Sequence, residues 1–330
     1  FNANAGLVYQ RCHIPFVHLK HKYEFVVTDL SDMRHTDLFY TDAVVMFHPW
    51  VDGFTQLASR CKFHYKVPVI VDLDDLLTEL PSDHPDFRNI KARPLLDTLQ
   101  LADTCVYSTP FLQQKMAHFN RNNTVIENAI PERFFNSNYI APNKPHKASF
   151  TVGWTGGQSH RSDQLYTFYN GVYEFLKKHD DTRAFFHMLC PQKLLNDFGA
   201  QVYFEDKGVE FLDYHAFCET LPFDVCMVGL MDHQFNNAKS DLRLLDMAPH
   251  NIPLIASPRA DFLKHKDKDL MLYAEDGNPD YMDWVEALDY AKNNPDKMQQ
   301  MAMRAKDYVL SERLSTVAAS KWEKVLDKVL

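Results

Sequence analysis

Lys239, Arg243 and Asp246 are the residues of this chain whose types and spacing suit chemistry most directly. They lie in the stretch 235–248, whose apolar spacing predicts a helix over 240–248. Ser240 reads as its N-cap, because a serine hydroxyl can accept a hydrogen bond from a free N–H of the first turn. Lys239 stands just before that helix and Arg243 about one turn into it. Asp246, at i+3 from Arg243, lies near the same face. A helix start favours anions, and two cations there suit a diphosphate. A carboxylate one or two turns deeper suits ribose hydroxyls. Taken alone, the segment reads slightly better as a solvated charged face with an ordinary cap. The motifs around it reverse that balance.

The sequence Val152-Gly153-Trp154-Thr155-Gly156-Gly157-Gln158-Ser159-His160-Arg161-Ser162-Asp163 reads as strand, Gly-rich loop and helix. Paired glycines let backbone N–H groups approach a phosphate closely. Thr155, Gln158 and Ser159 could add hydroxyl and amide donors. The alternative is a tight turn before a helix capped by Ser162 or Asp163. The loop matches neither GxGxxG nor the Walker A pattern, which disfavours NAD binding and ATP hydrolysis. Val69-Ile70-Val71-Asp72-Leu73-Asp74-Asp75 is a buried-strand pattern ending in carboxylates. Such a cluster suits metal binding, acid–base work or sugar hydroxyls, and equally the capping of the next turn by Asp75. His48-Pro49-Trp50 also follows a strand. It could line a sugar site, although packing is the commoner use of such a histidine. Arg11 could reach an anionic ligand; pairing with a carboxylate of the 72–75 cluster is the better expectation.

The elements that must hold these residues alternate along the chain. Runs 23–28, 43–47, 67–71, 104–108 and 124–126 read as strands, with helical patterns such as 93–101 and 109–119 between them. A polar segment with two prolines, 136–147, reads as a linker. Strands then follow at 149–154, 184–189, 209–211, 225–230 and 253–257, with helices over 163–178, 240–248 and 281–293. Beyond Pro295 a helical stretch reaches Leu330, broken near 311–315. This alternation implies an α/β class with two Rossmann-like domains built on parallel sheets. Ligands of such sheets bind beyond the carboxyl ends of the strands.

The bulk properties agree. A chain of 330 residues accommodates two domains. Its composition, 45% hydrophobic and 24% charged, is that of an ordinary globular protein. The net charge of −9 argues against broad electrostatic binding of nucleic acid, though not against a local basic cleft. No apolar run spans a bilayer and no secretory signal opens the chain. The six dispersed cysteines read as buried, reduced thiols, which points to a cytoplasmic protein. The sixteen histidines include no HxH or HExxH pattern, so no metal site is expected.

In this order the motifs resemble GT-B glycosyltransferases of the retaining, glycogen-synthase-like clan ("glycosyl transferases group 1"), of bacterial or phage type. The resemblance covers nearly the whole chain. The run from Tyr9 to Pro15 resembles "YYR…LP", Val71 to Leu77 "YDIDDLLF", and Ser108 to Leu112 "STPYL". Val125 to Pro131 resembles "VIPNAID", and Gly153 to His160 "GWAGSPTH". Phe235 to Ala256 is similar to "FNRAKSDIKLLEYAALGVPVIAS". The resemblance implies two parallel sheets facing a central cleft. Residues 1–140 would form the acceptor domain and 148–312 the donor domain, with 313–330 as a final helix packing back toward the first. It implies a nucleotide diphosphate sugar (UDP- or GDP-linked) as donor, with neither cofactor nor catalytic metal. Thr155, Gly156, Gly157, Gln158, His160, Lys239, Ser240, Arg243 and Asp246 would bind the donor. Lys239 and Arg243 would stabilise the leaving diphosphate. Asp246 would replace the glutamate that holds the ribose. Arg11, His48, Asp72 and Asp74 would lie on the acceptor side. The transfer would be hexosyl or pentosyl, with retention and without a direct nucleophile.

Three positions depart from the family pattern. Asn251 stands where a glycine is usual before the "IP" step, and asparagine tolerates the left-handed conformation needed there. Ala238 stands where the first of two glutamates separated by seven intervening residues belongs, the second position being Asp246. Residues 1–6 read as the loop after a first strand, which an upstream segment would supply. The acceptor is open: a glycan, a lipid-linked sugar, a protein side chain or a modified nucleic-acid base all fit. Two other functions remain compatible, a catalytically silent GT-B domain that binds a glycan or partner protein, and a nucleotide-sugar epimerase.

Overall fold

The structure is a computed structural model that describes residues 6–135, 149–210 and 213–330. The chain divides into two compact units. One comprises Phe1–Pro131, Asn237–Ser240 and Glu312–Leu330; the other comprises Glu132–Asn236 and Asp241–Ser311.

In the first unit β1 (Val44–Phe47), β2 (Val69–Leu73), β3 (Thr104–Tyr107) and β4 (Asn123–Val125) form one sheet in the order β1-β2-β3-β4, with every pair parallel. β2 and β3 are buried along their whole length, which is why they read as continuous apolar runs rather than alternating ones. The helices Asp52–Arg60 and Ala92–Leu101 contribute Leu57, Ala58, Leu95 and Leu99 to a core with Val69 and Val71. Ile70 and Val106 belong to a second core with Ala318, Ala319, Trp322 and Val325 of the helix Ser315–Val329. Trp322 meets Phe16 edge-on with ring centroids 5.1 Å apart.

In the second unit β5 (Phe150–Thr155), β6 (Thr182–His187), β7 (Val202–Glu205), β8 (Val225–Val228), β9 (Leu254–Ala256) and β10 (Leu272–Tyr273) make a parallel sheet in the order β10-β9-β8-β5-β6-β7. The chain starts in the middle at β5, moves outward to β7, then returns to β8 on the other side of β5. The sheet therefore reverses direction between β5 and β8, and the crevice beyond their carboxyl ends is where such sheets bind ligands. Helices Tyr169–Lys178 and Trp284–Asn293 supply Val172, Phe175, Trp284 and Leu288 to its core. Both units are thus α/β with parallel sheets, as the alternation of strand and helix patterns requires.

Several elements differ from the sequence reading. Residues 23–28 are not a strand: Tyr23, Phe25 and Val27 turn toward the core while Val26 is 83% exposed, so the alternation is real, but the backbone joins no ladder. The strand expected at 209–211 is absent from the described residues 209 and 210, and Phe211 lies outside them. The outer neighbour of β6 is instead β7, whose central Tyr203 is exposed and Phe204 only partly buried. The helix expected over 163–178 is two, Arg161–Tyr166 and Tyr169–Lys178, and neither Ser162 nor Asp163 caps the first. The helix expected from 281 starts at Trp284, because Asp283 and Glu286 close a capping box. Asp75 caps no helix either, as only a single 3-10 turn, Leu77–Glu79, follows it. The expected linker 136–147 lies outside the described residues. Asn251 adopts the left-handed conformation, φ 53°, ending the turn Ala248–His250. All six cysteines are free, and Cys190 alone is not fully buried.

Gly153 shows how tightly β5 is packed: a Cβ there would come 2.2 Å from the Phe223 ring. Gly153→Ala should cost about 1–3 kcal/mol of stability by overpacking. Urea unfolding followed by tryptophan fluorescence checks this, and an unchanged midpoint would contradict it.

Candidate functional site

In the second unit the register of β5 and β6 sets their last residues, Thr155 and His187, opposite one another. Thr155 Oγ1 lies 3.0 Å from His187 Nδ1, and His187 Nε2 lies 3.0 Å from the Lys207 carbonyl. A carbonyl only accepts, so Nε2 carries a proton, and in a neutral imidazole Nδ1 is then the acceptor. Thr155 therefore donates to His187. The Tyr214 hydroxyl, 3.5 Å from Thr155 Oγ1, donates to it. Arg243 Nη1 donates to the Tyr214 oxygen and, at 3.0 Å, to Asp246 Oδ2. Both hydrogens of that nitrogen are used. Among the described residues, Nη2 and Nε of Arg243 make no hydrogen bond. Burial keeps the Tyr214 phenol well above its ordinary range, so it stays neutral. Burial also pushes the Asp246 carboxyl up to about 6, against the opposing pull of Arg243.

The helix carrying Arg243 and Asp246 is short, Leu242–Met247, and its N-cap is Asp241 rather than Ser240. Asp241 makes no cap bond; its carboxylate is turned to His265 Nε2 at 2.7 Å and Lys264 Nζ at 3.4 Å. The site's positive charge is thus the guanidinium itself, not a long helix dipole. Lys239, expected just before the helix, stands two residues ahead of its N-cap, and it and Ser240 belong to the first unit while Arg243 belongs to the second.

The glycines of the loop differ in purpose. A Cβ on Gly156 would meet the Trp154 ring at 2.7 Å, so packing explains it. A Cβ on Gly157 would meet nothing within 4 Å, and its φ is not positive, so neither packing nor strain calls for glycine. A bare backbone facing open space is what close approach by a ligand requires. Gln158 opens the 3-10 turn Gln158–His160; its side chain lies outside the described ones. His160 is 3.0 Å from Asp163, whose other oxygen accepts from the Met231 N–H at 2.9 Å and Asn236 Nδ2 at 2.7 Å. Burial alone would raise Asp163, but these bonds hold it below its ordinary value. A cavity of about 210 Å³ opens past the carboxyl ends of β8, β9 and β10, lined by Leu230, Asp232, Ser257, Arg259 and Glu275 among others. Arg259 there is already paired with Glu275 and Asp232.

The first unit gathers Arg11, His48, Asp72 and Asp74 at the carboxyl ends of β1 and β2. Arg11 grips Asp72 in a two-bond fork at 2.9 and 2.6 Å, and its third nitrogen reaches the Ile126 carbonyl at 2.6 Å and Asn128 Oδ1 at 3.1 Å. Both partners are buried and fully engaged, so the pair is structural. His48 has a left-handed backbone, φ 45°, and its Nε2 accepts from the Asp74 N–H at 2.7 Å. Asn128 Nδ2 donates to Asp74 at 3.0 Å and to Ser240 Oγ at 2.9 Å, which is where the serine expected to cap the helix spends its hydroxyl. Lys239 pairs with Asp75 at 3.0 Å. Ala238 is buried, its carbonyl accepting from Thr109 at 3.0 Å. Sequence reasoning missed Asn128, Tyr214 and His187. Asn128 stood inside a motif already noticed; Tyr214 carries no local pattern.

No family model matches this chain, and no curated protein sequence matches it. Its fold is nonetheless shared with solved structures. HepE from Anabaena in complex with UDP-glucose superposes with a TM-score of 0.61 at 10% identity, over 89% of this chain and 80% of that one. Sucrose-phosphate synthase from Thermosynechococcus elongatus gives 0.62 at 10% identity, over 87% and 73%. An alpha,alpha-trehalose-phosphate synthase (UDP-forming) from Burkholderia vietnamiensis gives 0.61 at 12% identity, over 91% and 76%. The chain has the GT-B fold of these glycosyltransferases. Among the described residues no helix is long and apolar enough to cross a membrane.

Removing one partner of the Arg11–Asp72 pair leaves a buried charge alone. Arg11→Ala should therefore destabilise the protein by about 3–5 kcal/mol. The double variant Arg11→Met with Asp72→Leu should recover most of that loss in chemical denaturation. Equal losses in single and double variants would show that charge pairing is not what the site supplies.

Proposed function

We propose that this chain is a glycosyltransferase that takes its sugar from a nucleoside diphosphate sugar bound by the second unit. The observation that carries the reading is Arg243. One of its nitrogens is locked by Asp246 and Tyr214, and the other two, which make no hydrogen bond among the described residues, suit a bidentate anion. It is tied through Tyr214 to Thr155, the residue before Gly156 and Gly157, on the rim where the sheet reverses. The HepE structure holds UDP-glucose on the same fold, which supports this class of donor.

In the reaction, the bond between the anomeric carbon and the β-phosphate oxygen breaks, and the acceptor's oxygen bonds to that carbon. The acceptor's proton leaves with the diphosphate. Negative charge grows on the β-phosphate as the bond lengthens. A guanidinium already fixed in place stabilises that charge without reorganising. The Gly157 backbone would lie against the phosphates. Asp246 would accept from the ribose once ionised. His48 and Asp74 would face the acceptor. Retention of configuration and independence of metal belong to this reading through the family resemblance, and a cytoplasmic location through the dispersed, reduced cysteines.

Buried Ala238 favours a second reading, a domain that binds the donor without transferring its sugar. A transfer assay over a broad acceptor panel separates the two, since donor binding without product supports the second.

Arg243→Ala should weaken UDP- or GDP-sugar binding about 10- to 100-fold, the range for losing a charge-assisted hydrogen bond. Calorimetry with both sugars checks this, and unchanged affinity would overturn the donor assignment. The pH dependence has a definite sign. Asp246, raised to about 6, is a carboxylate above that pH and loses its charge as pH falls through it. UDP-glucose affinity should thus weaken from pH 7 to pH 5. Asp246→Asn should bind weakly at both, with the inflection gone; persistence of the inflection would assign it to another group.

A further inference from the structure

We infer that Tyr214 is a positioning residue for the diphosphate, setting the direction in which Arg243 presents its open nitrogens; this deepens the proposed donor-binding reading and rests on it. The inference stands on the polarity of one hydrogen-bond chain. Its far end is fixed by the Lys207 carbonyl, which can only accept and so makes His187 Nε2 the donor at 3.0 Å. With that ring neutral the later links follow: Thr155 donates to His187, the Tyr214 proton is turned toward Thr155 and the neighbouring Cys218 sulfur, and the Tyr214 lone pairs face Arg243, which can only donate.

An arginine held by Asp246 alone, at 3.0 Å, could swing about that single contact. Tyr214 adds a second contact on the same nitrogen, so the two oxygens fix both the position of the guanidinium and the rotation of its plane. The edge that binds a diphosphate bidentately is thereby aimed before any ligand arrives, which saves the cost of ordering a long side chain on binding. The ring itself cannot compete as an anion, because its burial keeps it neutral. Thr155 has a matching part. Its hydroxyl is directed inward to His187, so in this inference it acts by orienting Tyr214, where the sequence reading gave it a direct part in donor binding.

The test uses the full chain and four variants: Tyr214→Phe, Thr155→Val, Thr155→Ser and Arg243→Ala. UDP-glucose and GDP-mannose are titrated calorimetrically. For whichever binds, the matching nucleoside, uridine or guanosine, is measured by competition. Tyr214→Phe should weaken the sugar nucleotide about tenfold, as for a hydrogen bond to a charged group, and leave the nucleoside unchanged. Thr155→Val should weaken it in the same selective way, and Thr155→Ser should restore it. Parallel losses for sugar nucleotide and nucleoside would indicate a merely structural role and overturn the inference. Wild-type affinity in Tyr214→Phe with loss in Arg243→Ala would overturn it too, leaving the donor reading intact. Failure of the wild type to bind either sugar nucleotide would overturn both. Should Tyr214→Phe fail to fold, the two Thr155 variants carry the decision alone.

Discussion

A charge taken out of water must be met by an opposite charge or by hydrogen bonds, and that requirement organises both units of this protein. It is met in different degrees at different places. Arg11 has every nitrogen occupied, two by Asp72 and one by a carbonyl and an amide oxygen. Arg313, equally buried, directs Nε and Nη2 at the Asn128 carbonyl at 3.0 and 2.8 Å. Asp241 is closed off by His265 and Lys264, and Asp163 by three donors. These saturated groups hold loops to the sheets and have nothing left for a ligand. Arg243 is the contrast. It is largely buried and held by two oxygens, yet one edge of its guanidinium remains unengaged among the described residues. Saturation separates the structural charges from the candidate functional one more sharply than proximity to a strand end does.

The position of Arg243 follows from topology. β5 begins the second sheet at its centre, and the chain's return to β8 on the far side creates one reversal point. Thr155 and the glycine pair lie at that point because Thr155 ends β5 and the glycines follow it directly. Their attachment to Arg243 runs through Tyr214, from a different crossover. The site is therefore assembled from three separated stretches of sequence, and only the sheet's register brings them together. The glycines divide the work: Gly156 yields to Trp154, whereas Gly157 leaves backbone open to solvent.

Much of the fold was legible in the sequence. β2 and β3 are fully buried, so their Val- and Ile-rich runs announce them; the break between the last two helices and the left-handed Asn251 were also readable. The failures have physical causes. Residues 23–28 carry a strand's alternation because one side faces the core, but alternation reports burial and not ladder pairing. β7 was missed because Tyr203 is exposed and Phe204 only partly buried, so the strand shows no apolar run. The helix over 163–178 was overextended because nothing in its apolar spacing marks the stop at Thr167. Within the site, Arg243 and Asp246 were visible as an i,i+3 pair. The cap on Ser240 was not correct, since the Asn128 amide takes its hydroxyl, a contact set by residues over a hundred positions apart. Tyr214 was invisible for the same reason: its role exists only through Thr155 and Arg243.

The donor assignment is tested most directly by a crystal structure of the protein with UDP-glucose bound. The diphosphate is expected within hydrogen-bond distance of Arg243 Nη2 and Nε, against the Gly157 backbone, with the Asp246 carboxylate toward the ribose. A diphosphate held elsewhere, with Arg243 Nη2 and Nε still unengaged, would contradict it.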